Sequence, residues 1–542
     1  MGEKKRRAAA AGGDANRGRA LALAAEAQRL LAQSQFAPAL GALVRALELA
    51  PHVDSFWAQF AEVIRFFRFR PPLDARLHAL LERALEHAAV DPGELFLPVT
   101  SLALAQADPF ADPLLLRLLR DAIVRDAALI DMVAAERRRA LHDRTVRLDA
   151  LVAIAHQCFN TEYVLDETIE ETHAVEEIGR TLTGGGDLHA LAVYAAYRPL
   201  HTLPGCEGIA GMLAHTPLAS LAQRQIIEPL EEQRLAGGIR SLGAAASAVS
   251  AAVQAQYEAN PYPRWLRTQT SFAAAPLAEI VRELFPRVDV ADVEQGPTRL
   301  LVAGCGTGQN AIGIAKRFAD ASVLAVDLSR ASLAYAKRKT TELGMHNIDY
   351  CQGDLLALDT LAERFDLVEA SGVLHHLEDP LTGWRKLAAL VKAGGFMRIG
   401  LYSELGRGAI VHARGFIAQR GFEATREGIR RCRAAILAAT DDPLLAAVTR
   451  REDFYSMSGC RDLLFHVQEH RFRLPQITEA LQALGLRFLG FEFPDSGISA
   501  SRYRSRFAGD PTMTDLANWD RYEHDNPDAF ARMYQFWVRK PL

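Results

Sequence analysis

The feature that most limits what this chain can fold into begins at Arg299. Residues 299–303 form a short apolar run that passes straight into Gly304-Cys305-Gly306-Thr307-Gly308, and residues 310–318 then carry helical periodicity. The alternation continues with an apolar run at 322–326, a helix at 332–343, a strand at 348–351 leading to Gly353-Asp354, a strand at 365–369, a helix at 380–390 and a strand at 395–402. Strands separated by helices cannot close as hairpins. Each crossover returns the chain parallel to the strand before it, and the helices cover both faces of the sheet. Strand character resumes at 486–493 and 533–538. The expected fold is α/β: a doubly wound, mostly parallel, seven-stranded sheet, with a large all-helical N-terminal region and a helical insertion late in the sheet.

A chain of 542 residues exceeds one hydrophobic core and is read in parts. Residues 1–18 read as a disordered basic tail. Residues 19–90 read as a tetratricopeptide-like helical region, because small Ala27, Ala39 and Ala46 followed by Pro51 fit one repeat and Trp57 and Ala61 fit the start of another. Residues 91–250 read as a helical domain, broken at Asp91-Pro92-Gly93, Asp108-Pro109, Gly184-Gly185-Gly186 and Pro204-Gly205. His156 and Cys158 within it read as packing residues. The expected order then runs through a strap and linker (251–297), a nucleotide domain (298–402), an inserted substrate or cap region (403–484) and the last strands (485–542).

With 62 Lys and Arg against 66 Asp and Glu there is no general positive field, so general nucleic-acid binding is not expected. Six scattered cysteines form no metal cluster or CxxC pair and suggest reduced thiols. No secretion leader is read, and the apolar stretches are too short to span a bilayer, so a cytoplasmic location is expected. The apolar helix surface of the N-terminal half leaves room for a homodimer.

Three close glycines between a strand and a helix let the backbone approach a ligand and aim helix N–H groups at it. Asp327 ends the second strand and Asp354 the third, at the edge where open sheets bind ligands. Each has a local alternative, Asp327 as a helix cap and Asp354 as a partner for a loop N–H. Gln309 stands where a dinucleotide fingerprint would place its last glycine, and no Gly-Lys-Ser or Gly-Lys-Thr closes a phosphate loop.

Four segments, Val302-Ala303-Gly304-Cys305-Gly306-Thr307-Gly308, Ala325-Val326-Asp327-Leu328-Ser329, Gln352-Gly353-Asp354 and Ser371-Gly372-Val373-Leu374-His375-His376-Leu377-Glu378-Asp379-Pro380, span about 80 residues. In order and spacing they resemble the class I S-adenosylmethionine-dependent methyltransferases. The resemblance implies S-adenosyl-L-methionine as cofactor. Gly304, Cys305, Gly306 and Gly308 would lie about its methionine portion, Asp327 and Leu328 at the ribose, Asp354 and Leu355 at the adenine, and Gly372 to His375 along the pocket. Phe159-Asn160-Thr161-Glu162-Tyr163, Glu228-Pro229-Leu230-Glu231-Glu232, Gln256-Tyr257-Glu258-Ala259-Asn260-Pro261-Tyr262-Pro263-Arg264-Trp265 and Gly459-Cys460-Arg461-Asp462-Leu463-Leu464-Phe465-His466 resemble a bacterial group of tetratricopeptide-associated methyltransferases. The layout is loosely similar to rickettsial-type protein lysine methyltransferases.

Methyl transfer needs positioning, and a base only where the acceptor must lose a proton. Tyr262 is the first catalytic candidate, held between two prolines in a segment that is either a lid, with Tyr257 beside it and Arg264 as donor, or a joint between domains. His375 is the second, as base or as a helix-starting residue; Tyr455 is the third, with Arg461 and His466 also facing the acceptor or packed. Glu369 and Glu404 could line an amine channel. No metal is expected, since His375 and His376 are adjacent rather than convergent. The expected function is methyl transfer to a protein side chain, lysine favoured. The alternatives are a small-molecule acceptor, or a helical adaptor with a non-catalytic domain.

Overall fold

The computed structural model describes residues 2–182, 186–267, 274–293, 296–493 and 498–542; for residues 2–15, 359–360 and 498 it describes the backbone alone. The glycine break at 184–185 lies outside these. The chain divides into two compact units, residues 1–227 with 266–272, and residues 228–265 with 273–542.

The first unit is helical. The basic segment expected to be disordered instead belongs to the first helix, Gly2–Ala32, whose alanine run favours helix and which contains no proline. Ala27, Ala39 and Ala46 are fully buried, as is Trp57, whose indole donates to the Pro51 carbonyl at 2.9 Å. His156 is a core histidine: it meets Ser220 Oγ at 2.9 Å, and burial pushes its imidazole down to about 3.

The second unit carries an eight-stranded sheet: β1 (Arg240–Ser241), β2 (Thr298–Ala303), β3 (Ala321–Asp327), β4 (Ile348–Gln352), β5 (Phe365–Ser371), β6 (Val391–Leu401), β7 (Arg487–Phe491) and β8 (Tyr534–Arg539), in the spatial order β1-β4-β3-β2-β5-β6-β8-β7. The pairs from β1 through β6 are parallel, and β8 lies antiparallel between β6 and β7. The strand order reverses between β2 and β5, the place where open sheets leave a crevice at their carboxyl ends. Seven of the strands are those read from the sequence. β1 is an addition, two exposed residues pairing with Cys351 and Gln352.

The boundary between units falls before the strap, at 227/228. Helix Glu228–Gly237 belongs with the sheet because Arg338, almost wholly buried on helix Arg330–Glu342, pairs with Glu228 at 3.2 Å and Glu232 at 2.8 Å. The insertion after β6 supplies helices Gly408–Arg420, Arg426–Ala438, Pro443–Val448, Met457–Phe465 and Leu474–Leu484. Two further helices, Ile498–Arg506 and Leu516–Asp525, stand between β7 and β8. The sheet's two faces bury separate apolar clusters, one around Trp384, Trp519 and Phe536, the other around Trp265, Ile312 and Trp537. Among the described residues no helix is long and apolar enough to cross a membrane.

Candidate active site

The carboxyl ends of β2, β3, β4 and β5 open into a cavity of ≈ 440 Å³, within the usual range for a small-molecule site. Its floor is the glycine loop. Gly304 has φ +73°, and a Cβ there would lie 2.4 Å from Val373 Cγ2; Gly306 has φ +51°, and a Cβ there would lie 2.6 Å from the Tyr262 carbonyl oxygen. Both positions combine a left-handed backbone with no room for a side chain. Gly308 then caps helix Gln309–Arg317, whose N-terminus faces the same end.

Asp327 ends β3 with both oxygens engaged, Oδ2 by the Gly306 N–H at 2.7 Å and Oδ1 by the Ser329 N–H at 2.9 Å. Burial pushes this carboxyl up to about 6, against the opposing pull of those backbone donors. Each oxygen keeps a lone pair for a ribose hydroxyl. Asp354 accepts from Leu356 N at 2.9 Å and from Ala246 N at 2.8 Å. It therefore ties the segment after β1 to the carboxyl end of β4. Cys305, Leu328, Leu355 and Gly372 line the cavity, together with Ser250 and Val253 from helix Ala248–Ala259, which the sequence did not mark.

The strap is fastened to the glycine loop. Trp265 Nε1 donates to the Thr307 carbonyl at 3.1 Å, Thr307 Oγ1 donates to the Pro263 carbonyl, and the Tyr335 hydroxyl donates to the Trp265 carbonyl. Tyr257 and Tyr262 both face the cavity, their rings 6.5 Å apart and 21° from parallel. Arg264 does not line it; its guanidinium lies 5.9 Å from the Tyr335 ring.

The far end of the cavity is lined by Tyr257, Tyr262, His376, Tyr402 and Asp462. Tyr257 donates to Asp462 Oδ1 at 2.6 Å and lies 3.1 Å from His466 Nε2; Tyr262 donates to Asp453 Oδ1 at 2.9 Å. The Gln468 N–H meets His466 Nδ1 at 3.1 Å, so that nitrogen is an acceptor and Nε2 holds the proton. The direction of donation is thereby set, from His466 to Tyr257 to Asp462. Burial lowers His466 to about 4 and raises Asp453 and Asp462 to about 6 each. At neutral pH the histidine is neutral and both carboxylates are ionised.

His376, Asp462 and His466 offer atoms within 4.8 Å of one another, the spacing of a metal triad. The imidazoles of His376 and His466 are stacked, centroids 3.7 Å apart and planes 22° apart, which runs their in-plane lone pairs side by side instead of converging them. His466 Nδ1 is also taken by a backbone N–H. The donor set fits a proton relay and not a metal.

Two of the three catalytic candidates lie elsewhere. His375 is fully buried, stacked 3.8 Å from the Tyr402 ring, and is not on the cavity wall; the turn Leu374–His376 presents His376 instead, with its Nδ1 2.7 Å from the Gln468 carbonyl. Tyr455 donates to the Thr449 carbonyl at 2.8 Å inside the insertion, and the residue reaching the site from that turn is Asp453. Arg461 donates to the Ala424 carbonyl, while its neighbour Asp462 enters the cavity. Glu369 is paired with Arg398 and Asn310, and Glu404 with Arg473, neither on the cavity wall.

Residues 300–395 match the family model described as a methyltransferase domain. An uncharacterized protein of Synechococcus sp. is 31% identical over 236 residues, covering 42% of this chain and 56% of the relative. The ubiquinone biosynthesis O-methyltransferase of Paracidovorax citrulli is 32% identical over 150 residues, covering 27% and 58%. The chain thus spans little more than half the length of these relatives. Among solved structures, PKMT2 from Rickettsia typhi is similar at a TM-score of 0.36 with 16% identity, over 48% of this chain and 51% of that one. The open cradle at Gly304 and Gly306 and the two carboxylates beyond it fit a sulfonium nucleoside. The chain therefore carries a methyltransferase domain on the class I, S-adenosylmethionine-dependent fold.

Proposed function

We propose that this chain transfers a methyl group from S-adenosyl-L-methionine to a small-molecule acceptor. The supporting observation is that one cavity runs from the glycine loop, Asp327 and Asp354 at one end to Tyr257, Tyr262 and Asp462 at the other. Donor and acceptor would share one cavity walled on one side by the strap, and positioning of that kind can lower a barrier by about 7–11 kcal/mol. When bound, the cofactor supplies an electrophilic methyl on a positively charged sulfur. Gly304, Gly306, Asp327 and Asp354 hold its nucleoside and amino-acid portions, and Tyr257, Tyr262 and His376 shape the space in front of the methyl.

A cavity of ≈ 440 Å³ has room for a free small molecule beside the cofactor. The relatives named as ubiquinone biosynthesis O-methyltransferases agree with that reading. Lysine on a protein is the rival acceptor, and a non-catalytic adaptor the rival function. Calorimetric titration with S-adenosylhomocysteine decides the second: folded protein that does not bind it is no methyltransferase. Radiolabelled donor given to a native lysate with the purified chain decides the first, since label that protease releases from macromolecules would replace the small-molecule reading by the protein one.

A further inference from the structure

Charge is settled unevenly around the cavity. Arg398 on its wall gives its guanidinium to Glu369 at 3.0 Å, Glu492 at 2.6 Å and Gln535 at 2.9 Å. Arg407, 3.8 Å from the Tyr402 ring centroid, is paired with buried Glu469. Each of these cations pairs directly with a glutamate, and Glu469 is shared with Arg414 and Arg471. Asp462 and Asp453 lack a direct ion pair among the described residues: each takes a tyrosine hydroxyl, while Arg407 and Arg414 act on Asp462, and Arg407 and Arg451 on Asp453, from beyond ion-pair distance. Asp462 is 5% exposed and still lines the cavity. A buried carboxylate with no direct ion-pair partner gains from a cation that enters the cavity and pairs with it. Two tyrosine rings, of Tyr257 and Tyr262, stand beside it, and aromatic faces attract cations.

We propose that the acceptor is a small aliphatic amine that enters as its ammonium ion and is deprotonated by Asp462. The inference rests on the methyl-transfer reading above and names the substrate class for it. The ammonium R–NH3+ first pairs with the Asp462 carboxylate, then gives one proton to it and becomes R–NH2. The nitrogen lone pair forms the N–C bond as the C–S bond breaks, with the C–S electron pair remaining on sulfur. The products are S-adenosylhomocysteine and R–NH2–CH3+, whose positive charge replaces that of the sulfonium, and the proton on Asp462 leaves to water when the site opens.

Relative acidities separate this acceptor from its rivals. Burial brings Asp462 up to about 6. An alkyl ammonium near the lysine value of about 10.4 is then some four units away, whereas an alcohol near water's value of about 15.7 is nearly ten. A phenol matches the amine in acidity, but its deprotonation leaves an anion near a second carboxylate that has no direct ion pair, Asp453. An amine arrives charged and becomes neutral, the only one of the three that relieves the repulsion on binding. The donation from His466 through Tyr257 fixes one oxygen of Asp462 and leaves the other for the acceptor's proton.

The test uses the full chain. Titration with S-adenosylhomocysteine comes first, and absence of binding overturns the methyl-transfer reading itself. Methyl-labelled donor and protein are then given to the small-molecule fraction of a cell lysate, charcoal removes the adenine-bearing donor, and the remaining label is passed over a strong cation exchanger at acidic pH. Retained label is the expected result. Label in the flow-through, where ethers and esters emerge, overturns the amine and leaves methyl transfer standing. Asp462→Asn is expected to lose about 100-fold in transfer, within the range a general base contributes, with S-adenosylhomocysteine affinity retained. Its melting temperature at neutral pH should rise, because the amide removes a buried charge. Wild-type transfer by this variant overturns the role of Asp462. Tyr257→Phe, which keeps the ring, should raise KM for the amine and lower turnover with cofactor affinity retained; unchanged values of both overturn the relay.

Discussion

At the end of the cavity proposed for the cofactor, most of the lining comes from the glycine loop, Asp327 and Asp354, within the segment from Gly304 to Leu355. At the acceptor end it comes from side chains on segments as far apart as Tyr257, His376, Tyr402 and Asp462. The first set is fixed by strand ends and tight turns, so its geometry follows from local backbone conformation. The second exists only because the strap, the turn after β5 and helix Met457–Phe465 of the insertion meet over the sheet. A substitution at the first end should therefore act on binding, and one at the second end on turnover.

The largest expected effect is at Gly306. Gly306→Ala places a methyl against the Tyr262 carbonyl at a left-handed φ, and we expect S-adenosylhomocysteine affinity to fall by about 100-fold or more by calorimetry. Normal affinity would break the comparison at its root. Asp327→Asn comes next, with affinity lower by about 10- to 100-fold, the range for hydrogen bonds to a charged group. Because burial raises this carboxyl to about 6, it is ionised above that pH and protonated below. Wild-type affinity should weaken as pH falls through about 6, by up to about tenfold per unit, and the Asn variant should lack that limb. Tyr262→Phe removes the hydroxyl on Asp453 and should lower turnover about tenfold, on the scale of one lost charged hydrogen bond, with cofactor affinity little changed and the melting temperature lowered, because buried Asp453 loses its hydrogen-bond partner. An equal loss of affinity would mean that the two ends are not separable.

Two smaller effects sharpen the boundary of the acceptor end. The ring nitrogens of His375 have no hydrogen-bond partner among the described residues and face no cavity. His375→Phe should leave turnover within about twofold, since no buried polar contact is lost; a collapse of turnover with normal folding would return the base to this position. Tyr455→Phe forfeits the hydroxyl's bond to Thr449, worth about 1 kcal/mol of stability, and steady-state kinetics should not register it.

Much of this was legible before the coordinates. Alternating apolar runs and helical periods gave the sheet, and the residues marked for the cofactor stand at the ends of the strands that were read. β1 was not legible, since Arg240–Ser241 is two exposed polar residues whose strand conformation is imposed by β4. At the acceptor end the sequence marked Tyr455, Arg461 and His466 in the right stretch, yet Asp462 sat unremarked beside Leu463 and Leu464. One signal was available: Asp462 and His466 are four residues apart, one helical turn, and so share a face that Arg461 does not. Which of His375 and His376 meets the cavity depends on a single turn of 3-10 helix, which adjacent identical residues cannot announce.

Local order alone therefore determined the sheet, the glycine cradle and the carboxylates at its rim, because strand period, left-handed turns and strand-end positions are properties of a few neighbouring residues. Tertiary structure alone decided which tyrosines, histidines and aspartates confront the methyl position. Those side chains are brought together across some two hundred residues of chain by the packing of the strap and the insertion, and their ionisation follows from a burial that no short segment possesses.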